Sequence, residues 1–412
     1  MLNGLNILPS YNNYFGDSPV TIGLNTASVF IGGVLGDLIS GVMADRLGRR
    51  PTIFYGSVLI IVGVILQTAA QDAAMFVIAR IVLGFGNAVS GIAAGVYLSE
   101  TFSSRWRAWG VGLLNDFYYV GALIAAGITL GTGQWQSTWA WRAPSLIQGI
   151  FSVLCIAILP FIPESPRWLV DKGHIETARI VVAQANANSN VDDPVVLAVY
   201  KEIIDTLKWE KENVMTFMET IKNPIARKRL LIGSSAGPFS CIAGNIIASY
   251  YLSSELDTAG ITDSTAQLQA NVVLNVWCLL CALGGTHLIA RWGRKPTAIV
   301  TEASLVACLM IIGGLSKIYA DKGTATSQSV VYGDVAVMFL FQGFYSVAWT
   351  PLLYVYPPEV VSVVLGVRVH ERTTLLMSSQ MNYAIRANGV ALSQLLLNAF
   401  ASVGHSRSCD SY

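Results

Sequence analysis

Ten long apolar runs constrain the fold of this 412-residue chain more than any other feature of its sequence. Each run holds about 19 to 25 residues, which is enough for a helix to cross the hydrocarbon core of a bilayer. A soluble protein would have to bury all ten helices on every side, and no segment is amphipathic enough to cover them. The sequence therefore predicts an all-α membrane protein. The predicted spans lie near residues 22–44, 52–70, 74–98, 108–131, 143–162, 229–252, 268–290, 297–319, 333–356 and 383–403.

The positions of the basic residues predict how these spans are oriented. Lys and Arg occur in one set of connecting segments and are absent from the other set, and the positive-inside rule places the basic set in the cytoplasm. The basic segments are 45–51, 99–107, 163–228 and 291–296, and the segments without Lys or Arg are 1–21, 71–73 and 253–267. The net charge of +1 gives no reason to expect nucleic acid as a partner. We expect a monomeric, multi-pass protein of the plasma membrane, in contact with the lipid bilayer.

The long basic segment divides the chain into three parts. Residues 1–162 form the N-terminal transmembrane half, and residues 229–412 form the C-terminal transmembrane half. Residues 163–228 form a cytoplasmic linker, which is long enough to carry short polar helices near 171–184 and 195–211.

The cysteines and the polar motifs give no indication of a metal site or an enzyme. Five of the six cysteines lie inside predicted spans, where they pack as small apolar groups. Cys278 and Cys281 form a CxxC pair, but neither a suitable His nor a second pair accompanies them. We therefore predict no metal and no cofactor. No nucleophile, base and orienting group come together in the motifs, which argues against catalysis.

Two similar charged turns each follow one apolar run and precede another. They read GVMADRLGRRP at 41–51 and GTHLIARWGRKP at 285–296, and we interpret them as equivalent turns in two similar halves. Gly41 would allow close contact between helices, and Asp45 would accept hydrogen bonds from backbone and Arg groups. Simple anchoring of the helix ends by Arg would also explain these charges.

The first turn, with G-x-x-x-D-R-x-G-R-R at 41–50, resembles the signature turn of the major facilitator superfamily. Further segments narrow the resemblance to the sugar porter family, and LNDFYYVG and NIIASYYL resemble its fungal hexose and lactose permease-like branch. PESPRWL is the most specific of these segments. In chain order they are RIVLGFG at 80–86, VYLSE at 96–100, WRAP at 141–144, PESPRWL at 163–169 and YPPEV at 356–360.

The resemblance implies the major facilitator fold, with two pseudo-symmetric halves of six helices that move about a central site. About ten of the twelve helices are present, and the first and last family helices are missing, so the sequence looks incomplete at both ends. Residues 362–381 match no family segment, and we interpret them as an anomalous insert of retained intron. Joining Val361 to Asn382 restores the family's spacing between Glu359 and Arg386.

The resemblance also implies a network of cytoplasmic charges that acts as a latch. Ion pairs across the two halves would hold the cytoplasmic side closed while the site faces outward. Exposed pairs contribute only about 0 to 1 kcal/mol each, so a latch needs several of them. In the second turn Ala290 stands where the family usually has Asp. The predicted gating residues are Asp45, Arg46, Arg49, Arg50, Glu100, Arg107, Glu164, Arg167, Arg291, Arg294, Glu359 and Arg386.

Polar side chains repeat every four residues on three predicted spans, and each set therefore shares one helix face. The three stripes are Cys241, Asn245 and Ser249; Asn271 and Asn275; and Gln342, Ser346 and Thr350. A sugar needs hydrogen-bonding groups and an aromatic face near the bilayer midplane. Hydrogen bonds between helices, without any ligand, would explain the stripes equally well. With the aromatic positions that the resemblance adds, the predicted sugar-binding residues are Asn245, Ser249, Tyr250, Tyr251, Asn275, Gln342, Trp349, Tyr354 and Asn398.

Arg80 is a charged residue about six positions inside a predicted span, which makes it a candidate for coupling sugar movement to protons. Its long side chain could instead extend to the membrane surface. In proton-coupled members of the family the matching Arg pairs with an Asp on the first helix, which is missing from this sequence.

These features predict a transmembrane sugar transporter that works by alternating access. It would carry out facilitated uptake or proton symport of a hexose, a pentose or a disaccharide. The substrate stays open because Ser240 and Cys241 replace the family's usual pair of Gln residues. The alternatives are a transporter-like sugar sensor that does not transport, and an inactive fragment of a transporter gene.

Overall fold

The computed structural model of the protein describes most of the chain and consists of helices joined by short turns. No strand occurs in the described ranges. The structure describes residues 2–16, 19–103, 106–212, 222–244, 252, 256, 261–322 and 328–362. The predicted span 383–403, Arg386, Asn398 and nearly all of the insert 362–381 lie outside these ranges.

The first half of the chain forms eight helices. Two short helices at the start lead into four long ones, and α7 and α8 follow each other closely enough to act as one span, Trp139–Phe161. The helices are α1 (Leu2–Ile7), α2 (Pro9–Phe15), α3 (Pro19–Leu47), α4 (Arg49–Thr68), α5 (Ala73–Thr101), α6 (Arg107–Thr132), α7 (Trp139–Ile147) and α8 (Ile150–Ile158).

The rest of the described chain forms three small polar helices, two short helices and then three long apolar ones. Ser165 caps the first of the small helices, since its hydroxyl accepts a hydrogen bond from the backbone N–H of Trp168. These helices are α9 (Pro166–Asp171), α10 (Ile175–Asn186), α11 (Pro194–Glu212), α12 (Pro224–Ser234), α13 (Ala236–Ile242), α14 (Ser264–Trp292), α15 (Arg294–Lys322) and α16 (Gln328–Ser362).

Eight of the ten predicted spans correspond to helices that are long and apolar enough to cross a membrane. The described part of a ninth, residues 229–244, forms α12 and α13 in place of one continuous helix. Large apolar side chains such as Leu38, Ile78 and Met310 are exposed on the outside of the long helices. Such a surface suits lipid, so the prediction of an all-α membrane protein is confirmed.

The two charged turns have the same local structure, as expected of equivalent positions in two halves. Gly48 between α3 and α4 has φ 105°, and Gly293 between α14 and α15 has φ 89°. Glycine adopts this left-handed region without the steric cost that other residues meet. Each glycine carbonyl accepts a hydrogen bond from the threonine four residues later, Thr52 at 2.7 Å and Thr297 at 2.8 Å. We call the end of the bundle that carries these turns the charged end.

Glycines allow α3 and α5 to pack with their backbones almost in contact. A Cβ atom at Gly32 would overlap the carbonyl oxygen of Ile81, and one at Gly84 would overlap the carbonyl oxygen of Val29. Small residues at such crossings are the usual means of packing helices tightly in a membrane. This contact holds the first half together as one unit.

The two halves meet mainly where α6 packs along α14 and, over a smaller area, along α16. Gly112 of α6 permits this approach, because a Cβ at that position would lie 3.0 Å from the Thr286 methyl carbon. The polar residues that face each other across this contact therefore lie between two bodies of the fold.

Candidate functional site

Arg49 is the centre of a buried group of charged residues at the charged end of the first half. Its side chain is fully buried, and its Nε and Nη2 atoms donate to the two carboxylate oxygens of Glu100 at 3.0 and 3.3 Å. Its Nη1 atom donates to the Ala44 carbonyl at 2.7 Å, and Nη2 lies 3.4 Å from Asp45 Oδ1. A buried, two-point Arg–carboxylate contact is among the strongest charged pairs in proteins. We call Asp45, Arg49, Glu100, Glu164 and Ser165 the Arg49 cluster.

Glu164 ties the linker to the start of α4. Its carboxylate accepts hydrogen bonds from the backbone N–H groups of Arg49 and Arg50, with N···O distances of 3.1 to 3.3 Å. A carboxylate suits this position because the N-terminus of a helix carries partial positive charge. The Ser165 hydroxyl donates to Glu100 at 2.7 Å, which joins the same segment to α5. Three helix ends of the first half are thus fixed to one another.

The predicted gating residues fall into several groups in the structure. Arg46 and Arg291 are exposed, Arg294 is half-buried and Arg167 is buried. Arg50 donates to the Pro160 carbonyl at 3.2 Å. The side chains of Arg107 and Glu359, and all of Arg386, lie outside what the structure describes. The contacts of the Arg49 cluster join elements of the first half, so a latch between the halves stays a prediction.

Polar residues from both halves meet at the α6 contact, inside the membrane-spanning part. The Thr286 hydroxyl donates to Asp116 Oδ2 at 2.7 Å, and the Asn115 amide donates to the Thr350 carbonyl. The Tyr119 and Ser346 hydroxyls are 2.7 Å apart, and Tyr119 also lies 3.4 Å from the Thr350 hydroxyl. We call this set the interface cluster: Asn115, Asp116, Tyr119, Thr286, Ser346 and Thr350.

The interface cluster lies away from both lipid and water. Asp116 is 1% exposed, and Asp116 and Thr286 are seven and six residues from the charged ends of their spans, Trp109–Thr132 and Ser264–Trp292. At 1.5 Å per residue both lie about 10 Å along their helices from the charged ends of these spans. A row of hydrogen-bonding groups at this depth can bind a polar solute or can hold the halves together.

A small crevice leads from the charged end towards this cluster. It has a volume of about 30 Å³, which is enough for a water molecule. It is lined by Trp109, Gly112, Thr286, Ile289, Ala290, Arg294 and Pro351. Ala290 is the position at which the family usually has Asp, and the small side chain leaves this space open.

Three predicted sugar-binding residues have described side chains, and those of Asn275 and Trp349 hydrogen-bond within the second half. The Asn275 amide donates to the Asn271 backbone carbonyl at 2.7 Å and to its side-chain oxygen at 3.1 Å. The Trp349 indole donates to Glu302 at 2.8 Å. Gln342 is buried, and its carbonyl lies 2.7 Å from the Ser346 hydroxyl. Binding of sugar by these residues stays a prediction.

The remaining predicted sugar-binding positions have no described side chains. They are Asn245, Ser249, Tyr250, Tyr251, Tyr354 and Asn398.

None of the six members of the interface cluster is among the predicted site residues, although Ser346 and Thr350 belong to one of the predicted polar stripes. Asn115, Asp116 and Tyr119 share one face of α6 at three- and four-residue spacing, which is the pattern that predicted the other stripes. The Asp in LNDFYYVG was a usable signal, because an ionisable residue inside a span is a functional candidate. Thr286 has no such signal, since it is a single hydroxyl beside two glycines.

Arg80 lies in a pocket of aromatic residues and does not extend to the surface of the chain. It is 8% exposed, and its guanidinium carbon lies 5.8 Å from the centre of the Phe76 ring. The Asn25 amide donates to the nearby Tyr11 hydroxyl at 3.0 Å. Burial raises the pKa of Tyr11 to about 12, although Arg80 and this hydrogen bond act in the opposite direction. Tyr11 therefore stays a neutral phenol near Arg80 at neutral pH.

Removing the Tyr119 hydroxyl is expected to loosen the contact between the halves. Tyr119→Phe keeps the ring, which packs against Leu274 and Cys278, but loses the hydroxyl contacts with Ser346 and Thr350. A hydrogen bond contributes about 0.5 to 1.5 kcal/mol, so the population with separated halves should rise roughly threefold to tenfold. Distances between spin labels on the two halves would measure this rise.

Tyr118→Phe is the matched control, because Tyr118 is the neighbouring residue and is 62% exposed. It should leave the distance distribution unchanged. Equal effects of the two substitutions, or no effect of Tyr119→Phe, would show that the interface hydroxyls do not hold the halves together.

Known proteins resemble the chain over most of its length. Residues 6–368 match the family model described as sugar (and other) transporter. The MFS-type transporter criB of Aspergillus cristatus is 30% identical over 342 residues, which cover 82% of this chain and 72% of that protein. The high-affinity glucose transporter of Kluyveromyces lactis is 28% identical, with 85% of this chain and 66% of that protein covered. The match to the MFS-type transporter oryC of Aspergillus oryzae covers 64% of that protein.

Solved structures have the same fold. The proton:xylose symporter XylE bound to 6-bromo-6-deoxy-D-glucose matches with a TM-score of 0.75 and 20% identity, over 100% of this chain and 87% of that one. A partially occluded inward-open form of XylE from E. coli matches with a TM-score of 0.70 and 18% identity, over 98% and 89% of the two chains. These matches establish the two-half architecture. The chain belongs to the sugar (and other) transporter family and has the fold of the major facilitator superfamily.

Proposed function

We propose that the protein carries a small sugar across a membrane by alternating access, as a facilitated carrier or a proton symporter. The observation that carries this proposal is the interface cluster, in which hydroxyl and amide groups of both halves meet within the membrane-spanning helices. Alternating access needs such a site between two bodies that can part on either side.

The chemistry of the interface cluster suits a polyhydroxylated solute. Asn115, Tyr119, Ser346 and Thr350 together supply donors, acceptors and one aromatic ring. When the halves part, these groups lose their partners across the interface, and sugar hydroxyls can replace them. The names of relatives support this class of substrate, since one is a glucose transporter and a structural neighbour is a xylose symporter. A hexose, a pentose or a disaccharide remains the proposed substrate.

The Arg49 cluster has a supporting role in this proposal. By fixing the ends of α3, α4, α5 and α9 to one another, it makes the charged end of the first half rigid. A rigid half can rock as one body. We propose the plasma membrane as the location and a monomer as the working unit.

Uptake of a labelled sugar is the direct test of this function. The protein, with and without residues 362–381, would be expressed in cells that lack hexose uptake, with D-glucose, D-galactose, D-xylose and lactose as probes. We expect uptake of at least one probe above the level of empty-vector cells, because sugar porters move their substrates down or against a gradient. External pH recording would distinguish symport from facilitated uptake.

Surface labelling must accompany this measurement as a control for delivery. A protein that reaches the surface and moves none of the four sugars would contradict the proposal. Binding of a sugar without uptake would favour the sensor alternative.

A further inference from the structure

Asp116 is a buried carboxyl group at the contact between the two halves. Its side chain is 1% exposed, and its Oδ2 atom accepts a hydrogen bond from Thr286 of the other half. Its Oδ1 atom has no hydrogen-bond partner among the described residues. One hydroxyl donor is a poor substitute for the water that surrounds a carboxylate in solution.

The groups around Asp116 supply no positive charge that would balance an ionised carboxylate. In the described part of the chain Asp116 forms no ion pair, and Arg294 lines the same crevice as its partner Thr286. Among the described side chains, the titratable and charged groups on the elements packed against α6 are Arg80, Tyr97 and Glu100 of α5, Arg142 of α7, Cys278, Cys281, His287 and Arg291 of α14, and Tyr332, Asp334, Tyr345 and Tyr356 of α16. Tyr118 and Tyr119 lie on α6 itself.

Several of these groups make other contacts, and Arg80 lies beside the Phe76 ring. Glu100 pairs with Arg49, Arg142 donates to the Ala70 carbonyl, and His287 is exposed. Burying an unbalanced carboxylate in a membrane costs several kcal/mol, so the closed interface favours a neutral carboxylic acid.

A crevice large enough for a water molecule lies one side chain away from this carboxyl group. Thr286 lines the crevice that begins near Arg294, and its hydroxyl contacts Asp116 directly. Separation of α6 from α14 at the charged end would widen this crevice and wet the carboxyl group.

We propose that Asp116 is a proton-binding site coupled to the movement of the two halves. When the halves close, the carboxylate takes a proton from hydronium and leaves water; when they part at the charged end, the acid returns that proton to water. The driving ion for sugar movement would then be the proton. This inference rests on the proposed transport function and adds the residue that couples it to pH.

Sugar transport in proteoliposomes tests the coupling, with D-glucose and D-xylose as probes. At one proton per sugar, a one-unit pH gradient can drive about tenfold accumulation. We expect Asp116→Asn to abolish this accumulation while counterflow of sugar, which needs no net proton movement, stays within about threefold of the unaltered protein. Asp334→Asn removes another buried carboxyl group, one with no hydrogen bond or ion pair to the first half among the described residues, and should leave both activities intact.

The distance between the halves tests the proton site without any sugar. Labels at Leu47 and Lys295, exposed residues beside the two turns, should separate as pH rises from about 5 to about 8. Asp116→Asn should remove this pH dependence, and Asp334→Asn should keep it. If Asp116→Asn fails to fold, Thr286→Val offers a second test. It keeps the carboxyl group but removes its hydrogen-bond donor, so the pH midpoint of the distance change should move by about half a pH unit or more.

The outcomes are distinct for the two proposals. Absence of counterflow in the unaltered protein would contradict sugar transport, and the distance measurement would still decide the role of Asp116. Four results would overturn the assignment of Asp116. Asp116→Asn could still accumulate sugar, or the label distance in the unaltered protein could be independent of pH. Asp334→Asn could lose sugar accumulation as fully as Asp116→Asn, or Thr286→Val could leave the pH midpoint of the distance change where it is.

Discussion

Replacing Arg49 with alanine is expected to destabilise the protein by roughly 3 to 5 kcal/mol, because it leaves buried carboxylates without their cation. The side chain is fully buried and makes two hydrogen bonds to Glu100 and one to the Ala44 carbonyl. All of these bonds would be lost together, and Asp45 would lose its ion pair as well. Thermal unfolding of purified protein in detergent, with the amount of protein at the membrane, would measure the effect.

Two further substitutions make this test specific to the buried contact. Arg46→Ala removes an exposed arginine three residues earlier, and surface changes of this kind stay within about 0.5 kcal/mol. Arg49→Lys keeps the charge but loses the planar two-point contact with Glu100, so its stability should lie between those of the other two variants. Equal melting temperatures of Arg49→Ala and Arg46→Ala would show that the buried contacts of Arg49 do not stabilise the fold.

Gly84→Ala is expected to weaken the packing of α3 against α5, by about 1 to 3 kcal/mol. The added methyl group would meet the Val29 carbonyl oxygen, and a backbone atom cannot rotate away as a side chain can. The two helices must separate or shift, and the reciprocal contact of Gly32 with Ile81 would open with them. The melting temperature and the yield of folded protein would both fall.

Gly121→Ala is the matched control within another membrane helix. A Cβ at Gly121 would meet nothing within 4 Å, so the same change adds a methyl group in open space. There the higher helix propensity of alanine, worth up to about 1 kcal/mol, acts alone, and stability should be unchanged or slightly raised. A loss in Gly121→Ala as large as that in Gly84→Ala would mean that propensity or lipid contact, and not the α3–α5 contact, sets the result.

The membrane-spanning helices and the turns between them could be predicted because the signals that specify them are local. Hydropathy over about 20 residues decides whether a segment can cross a bilayer, and neighbours along the chain supply that information. The turns at Gly48 and Gly293 are equally local, since each combines a helix end, a glycine and nearby arginines. The predicted span 229–252 is described only in part, and its described residues 229–244 form α12 and α13.

Contacts within the Arg49 cluster were only partly predictable. The motifs place Asp45, Arg49, Glu100 and Glu164 at the same side of the membrane, which is why they appear together among the predicted gating residues. Their partners depend on how three helix ends meet, and Arg49 and Glu100 are 51 residues apart. In the structure Arg49 pairs with Glu100 and Asp45, which all belong to the first half, so these contacts stabilise that half.

By itself the sequence determined that the protein is an all-α membrane protein of two similar halves, because apolar length and repeated turns are properties of the chain alone. Only the tertiary structure brought Asp116 to Thr286, 170 residues later, and Tyr119 to Ser346, 227 residues later. Those pairs exist because one face of α6 packs against α14 and α16. The choice of that face depends on the fit between helices, such as the space that Gly112 leaves for Thr286, which no stretch of sequence encodes on its own.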